Sequence, residues 1–64
     1  GIPRVERREV QTLLAQRGYD IGGKIDGVMG TKTREAIADY QARIGMKRDG
    51  RASQKLLASL RGGH

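Results

Sequence analysis

The chain has no cysteine, tryptophan or phenylalanine, and only one proline and two tyrosines among its 64 residues. Without cysteine no disulfide can staple the fold, and the redox compartment stays open. The single histidine is the terminal His64, so a structural zinc site lacks its ligands and no metal or other cofactor is expected. No apolar run approaches the ~20 residues of a membrane span. No signal-peptide pattern opens the chain, and the abrupt start at Gly1-Ile2-Pro3 is what a fragment of a longer protein would show. A chain this short buries only about 60% of the surface its unfolded form exposes, so its stability must come from efficient packing.

What the sequence does have is positive charge. Thirteen lysines and arginines stand against seven acidic residues, a formal net charge of +6. Such a surface favours anionic partners: nucleic acid, an anionic membrane surface, or the carboxylates and phosphates of a cell wall.

Three stretches repeat apolar residues at helical spacing. The first runs from about Arg4 to Arg17 with Val10, Leu13 and Leu14 on one stripe, Pro3 in its first turn, and Gly18 ending it. The second carries Thr33, Ala36, Ile37, Tyr40 and Ile44, read as a core stripe and closed by Gly45. The third is short, with Ser53 as N-cap and Leu56, Leu57 and Leu60 inward. The expected fold is all-α: a compact three-helix domain spanning residues 1–64, with its core at about 4–61 and a tail at 62–64. The long connection from Tyr19 to Gly30 holds Ile21, Ile25, Val28 and Met29, too apolar for a free loop. It is expected to fold back over the helices, Ile25 and Met29 completing the core, with negligible strand.

An internal repeat links the two connections. Asp26-Gly27-Val28-Met29-Gly30 aligns without a gap to Asp49-Gly50-Arg51-Ala52-Ser53, so each Asp-Gly leads a helix whose N-cap is Gly30 or Ser53. Upstream, Gln11-x-x-Leu14 and Gln41-x-x-Ile44 each precede a helix-ending glycine. Turn chemistry explains both Asp-Gly pairs: the aspartate accepts from turn amides and the glycine supplies positive φ. Gln11 and Gln41 are expected to bond loop backbone rather than a ligand.

With those residues set out, the sequence resembles a bacterial peptidoglycan-binding domain of the three-helix type. The resemblance rests on Val10-Gln11-x-x-Leu14, Gly18-Tyr19, Ile25-Asp26-Gly27-Val28-Met29-Gly30-x-Lys32-Thr33-Arg34, Ala36-Ile37, Tyr40-Gln41, Gly45-Met46, Asp49-Gly50 and Leu56-Leu57-x-x-Leu60, covering about residues 5 to 60. It is most similar to the C-terminal domain of Gram-negative lytic murein transglycosylases, although amidases and carboxypeptidases carry the same module. The family often has phenylalanine where Met29 and Tyr40 stand, and proline where Thr31 stands. The resemblance implies a monomeric, non-catalytic module of the periplasm or cell envelope. It would bind the stem-peptide carboxylates and glycan of peptidoglycan, and would be attached to a catalytic domain.

The candidate ligand residues are Tyr19, Lys24, Asp26, Gly27, Lys32 and Arg34. Lys24, Lys32 and Arg34 lie near the start of the second helix, where free backbone amides favour a carboxylate or phosphate. Tyr19 can either cover the core edge or meet a ligand. No catalytic residue is expected. Glycoside hydrolysis needs two carboxylates facing each other across a cleft, and Glu35 and Asp39, one turn apart, lie opposite the core stripe. Nucleophilic and metal-assisted schemes lack their parts. Two rival readings are a basic nucleic-acid-binding domain and an intramolecular docking domain for the parent enzyme. The first is disfavoured, because a helix-turn-helix joins its helices by three or four residues and the connection from Gly45 to Ala52 is about twice that.

Overall fold

The first helix starts where a proline can serve it best. In the computed structural model, which describes residues 1–62, helix α1 spans Arg4–Gln16 and Pro3 holds the N-cap with φ −60° and ψ 157°. That is one position before the first-turn place expected for it. The Pro3 carbonyl accepts from the amides of Glu6 and Arg7 at 3.0 Å, so the missing proline N–H costs no helical bond. Gly63 and His64, in the expected tail, lie outside the described residues.

Helix ends are set by glycine. After α1, Gly18 adopts φ +90°, and the amides of Gly18 and Tyr19 return to the carbonyls of Ala15 and Leu14 at 3.0 Å. Helix α2, Thr31–Ile44, closes in the same manner at Gly45, φ +77°, with the Met46 amide on the Gln41 carbonyl at 2.9 Å. Helix α3, Gln54–Leu60, begins at Ser53, whose hydroxyl accepts from the Leu56 amide at 3.1 Å. The described residues contain three helices and no strand.

α1 packs against both other helices. Val10, Leu14, Ile37, Leu56 and Leu57 are wholly buried, and Ala36, Tyr40 and Leu60 are nearly so. Each large aliphatic side chain in such a place contributes about 1.5–3 kcal/mol of transfer free energy. The result measures 26 × 20 × 20 Å.

Two expectations about the core, Ile25 and Ile44, need correction. Ile25 is 49% exposed and Val28 55% exposed; the connection instead sends Ile21 inward, with Met29 packed at the core margin. Gly22 and Gly23, at φ +89° and +85°, turn the chain between Ile21 and Ile25, so the two isoleucines do not share a side. Ile44, the last residue of α2, is 41% exposed. Ile2, outside every periodic stretch, is buried and joins the core ahead of the first helix.

Candidate functional site

The two Asp-Gly turns are wired alike, each by a glutamine buried on the preceding helix. Gln11 Oε1 accepts from the amides of Asp26 and Gly27 at 3.0 and 2.8 Å, and Gln41 Oε1 accepts from the Gly50 amide at 2.9 Å. Each glutamine amide donates to the turn's aspartate: Gln11 to Asp26 at 3.4 Å and Gln41 to Asp49 at 2.9 Å. Each aspartate in turn accepts from the amide two residues on, Val28 at 2.9 Å and Arg51 at 3.0 Å. The first clasp is tied more heavily. Gln11 also donates to the Val28 carbonyl and to Thr33 Oγ1, whereas the repeat places Leu56 opposite Thr33.

The glycines allow the turns to press against the helices. Gly27 has φ +75°, and a Cβ there would stand 2.7 Å from Arg4 Cγ and 3.0 Å from the Arg4 carbonyl oxygen. Gly50 has φ +67°, and its Cβ would meet the Arg34 carbonyl oxygen at 3.2 Å. Two arginines complete the first turn: Arg4 donates to the Asp26 carbonyl at 2.9 Å and Arg7 to the Gly27 carbonyl at 2.7 Å. Asp26 and Gly27 are therefore occupied in holding the scaffold.

The six candidate ligand residues fall on separate surfaces. Lys24, Asp26 and Lys32 border one shallow hollow beside Ile21 and the start of α2. No side chain caps that helix start, since Gly30 is its N-cap, but Lys32 is already paired with Asp20 at 3.4 Å. Arg34 lies on another face, in a hollow shared with Ile2, Met29, Gly50 and Arg51. Two positions apart on a helix means a rotation of about 200°, so Lys32 and Arg34 cannot face the same way. Tyr19 belongs to a third and larger groove of about 860 Å³, with Arg17, Tyr40, Arg43, Ile44 and Ser59. Gly27 is buried under Arg4 and Arg8.

Arg17 and Arg43 of that groove were not among the residues singled out from the sequence. The signal was there: each of the first two helices ends with an arginine one or two places ahead of its closing glycine, at Arg17-Gly18 and Arg43-Ile44-Gly45. Arg17 donates to the Leu60 carbonyl at 2.7 Å and lies over the Tyr40 ring, 5.4 Å from its centroid. Arg43 makes no ion pair and no side-chain hydrogen bond among the described residues.

Four carboxyls are shifted by their surroundings, all of them downward. Donation from the Val28 amide holds the Asp26 carboxyl below its ordinary range, and the Arg51 amide does the same for Asp49. The Gly22 amide and then Lys32 lower Asp20, and Arg61, bonded at 2.7 Å to both Glu9 oxygens, lowers Glu9. A general acid at neutral pH needs the opposite shift. Glu35 and Asp39 are exposed, and Asp39 pairs with Arg48 at 3.4 Å. Among the described residues no cluster of three or more histidine, cysteine, aspartate or glutamate side chains is placed to hold a metal ion, and no helix is long and apolar enough to cross a membrane.

Comparison with known proteins adds one match. Residues 3–60 fit a family model described as a peptidoglycan binding domain, which takes in all three helices and both Asp-Gly turns. Among curated proteins no match is found.

Proposed function

The chain belongs to the peptidoglycan-binding domain family, and on that premise we propose that it is a non-catalytic, monomeric module that holds an attached wall-degrading or wall-remodelling enzyme against the cell wall. The observation that carries the reading is the family match across nearly the whole described chain. A murein hydrolase such as a lytic transglycosylase suits the attached role, with the periplasm or another part of the cell envelope as the setting. A tether would make even modest affinity useful, because it keeps the module at high effective concentration near the wall.

The disposition of charge supports wall binding over nucleic-acid binding. Lys32, Arg48 and Arg61 are paired with carboxylates, while Arg4, Arg7 and Arg17 are held in place by backbone carbonyls and keep their charge. The cations without a carboxylate partner are spread over all three helices and both connections rather than gathered on one helix that could enter a groove.

The test is retention on purified insoluble peptidoglycan compared with duplex DNA, across a salt series. The proposal expects retention on sacculi near physiological salt and little on DNA. Equal binding to both polymers, lost steeply as salt rises, would overturn it and leave only a cationic surface.

A further inference from the structure

One groove is lined by residues from the C-terminal ends of all three helices: Arg17 and Gly18 after α1, Arg43 and Ile44 closing α2, and Gly62 after α3. Its volume, about 860 Å³, is that of a small-molecule cleft, for which about 300–1,000 Å³ is usual. Tyr19 forms one wall, half-buried, its ring at 88° to that of Tyr40 with centroids 6.2 Å apart. Tyr40 is buried and its hydroxyl is bonded to Ser59 at 2.6 Å, which leaves Tyr19 as the accessible aromatic. Ile44 is 41% exposed on a molecule with few exposed large apolar side chains. Arg43 is exposed, and among the described residues it has no anionic partner and no carboxylate lines the groove.

Those features select the occupant. An aromatic and an aliphatic side chain offer an apolar platform, and one unpaired guanidinium offers a bidentate seat for a single carboxylate. A polyphosphate fits poorly, because the ends of three helices bring partial negative charge to this side and only Arg17 and Arg43 offset it. A ligand with one apolar face and one carboxylate fits well.

We propose that this groove binds an N-acylated amino sugar bearing a short peptide carboxylate, with the apolar face of the sugar on Tyr19 and Ile44 and the carboxylate on Arg43. The proposal rests on the wall-binding reading and gives it a place and a chemical moiety, at the opposite end of α2 from Lys24 and Lys32.

The test titrates the isotope-labelled domain with N-acetylmuramyl-L-alanyl-D-isoglutamine, following backbone amide shifts, and measures sacculus retention of Arg43→Glu, Ile44→Ser and the control Lys55→Ser, an exposed cation outside the groove. Arg43 and Ile44 are exposed, so melting curves of those variants should match that of the parent. The expected result is shifts confined to residues 17–19, 43–45 and 59–62, with retention lowered about tenfold by Arg43→Glu, the loss of one charge-assisted contact. Ile44→Ser should lower it less, and the lysine control should leave it unchanged. If the parent domain is retained on sacculi but Arg43→Glu and Ile44→Ser are retained equally, the groove assignment is overturned while wall binding stands. Shifts centred on residues 24–33 overturn it in the same way. If the parent is not retained at all, the wall-binding reading itself falls.

Discussion

At the scale of single residues, the two turns depend on atoms that glycine lacks. Gly27 and Gly23 share a left-handed backbone, φ +75° and +85°, but only Gly27 is pressed against a helix; a Cβ at Gly23 would meet nothing within 4 Å. Gly23→Ala should therefore cost only the conformational penalty of about 1–2 kcal/mol. Gly27→Ala should cost that and more, because the Arg4 carbonyl is backbone and cannot step aside. Urea melts of the two variants check this, and equal losses would mean that the turn does not need its close approach. Adjacent residues can also part company. Lys32 and Arg34 read as one cationic cluster in the sequence, yet the helix sends them to different surfaces, and two of the groove's cations come from the ends of separate helices. Linear proximity carries no record of which side of a cylinder a residue occupies.

At the scale of elements, the helices were legible and the long connection was not. Val10 and Leu14 in α1, Thr33, Ile37 and Tyr40 in α2, and Leu56, Leu57 and Leu60 in α3 each repeat at a spacing that a helix buries on one face, and Gly18 and Gly45 mark the ends of the first two. Between Tyr19 and Gly30 no such period exists. Consecutive positive-φ glycines there reorient each following side chain, which is why Ile21 went inward and Ile25 outward. Helix starts give a second test. Ser53 caps α3 with its hydroxyl, whereas Gly30 at the aligned position caps α2 with no side chain. Gly30 has φ −75° and ψ 178°, a conformation open to serine, with nothing near its missing Cβ. Gly30→Ser should stabilise by about 0.5–1 kcal/mol, from a new cap and a less flexible unfolded chain. Ser53→Ala should destabilise by about 1 kcal/mol. In a domain this small each kcal/mol moves the thermal midpoint by about 4–8 °C, so calorimetry resolves both changes.

At the scale of the whole molecule, four carboxyls are lowered by their native partners: Glu9, Asp20, Asp26 and Asp49. In each case the unfolded chain binds a proton more readily than the folded one. Their stabilising contribution is then complete above the ordinary carboxylate range and is lost as pH falls through the lowered native values. The thermal midpoint should hold steady from neutrality to about pH 5 and drop below about pH 4. The double variant Asp26→Asn/Asp49→Asn keeps an oxygen for the turn amides but cannot titrate, so its midpoint should fall less steeply over the same range. A drop as steep as the parent's would show that these two turns are not the acid-sensitive elements.

The glutamine clasps have one more consequence, for how the molecule opens. In most helical domains the amides that exchange slowest with solvent deuterium lie in the middle of helices. Here the amides of Gly27 and Gly50 sit in loops, but each is bonded to a glutamine that is 0–1% exposed. Neither can meet water until its glutamine leaves the interior. Because α2 receives the first turn and launches the second, that departure dismantles both halves together. Two loop glycines should exchange as slowly as the helix cores and at a common rate, the kinetic signature of a chain that unlatches all at once.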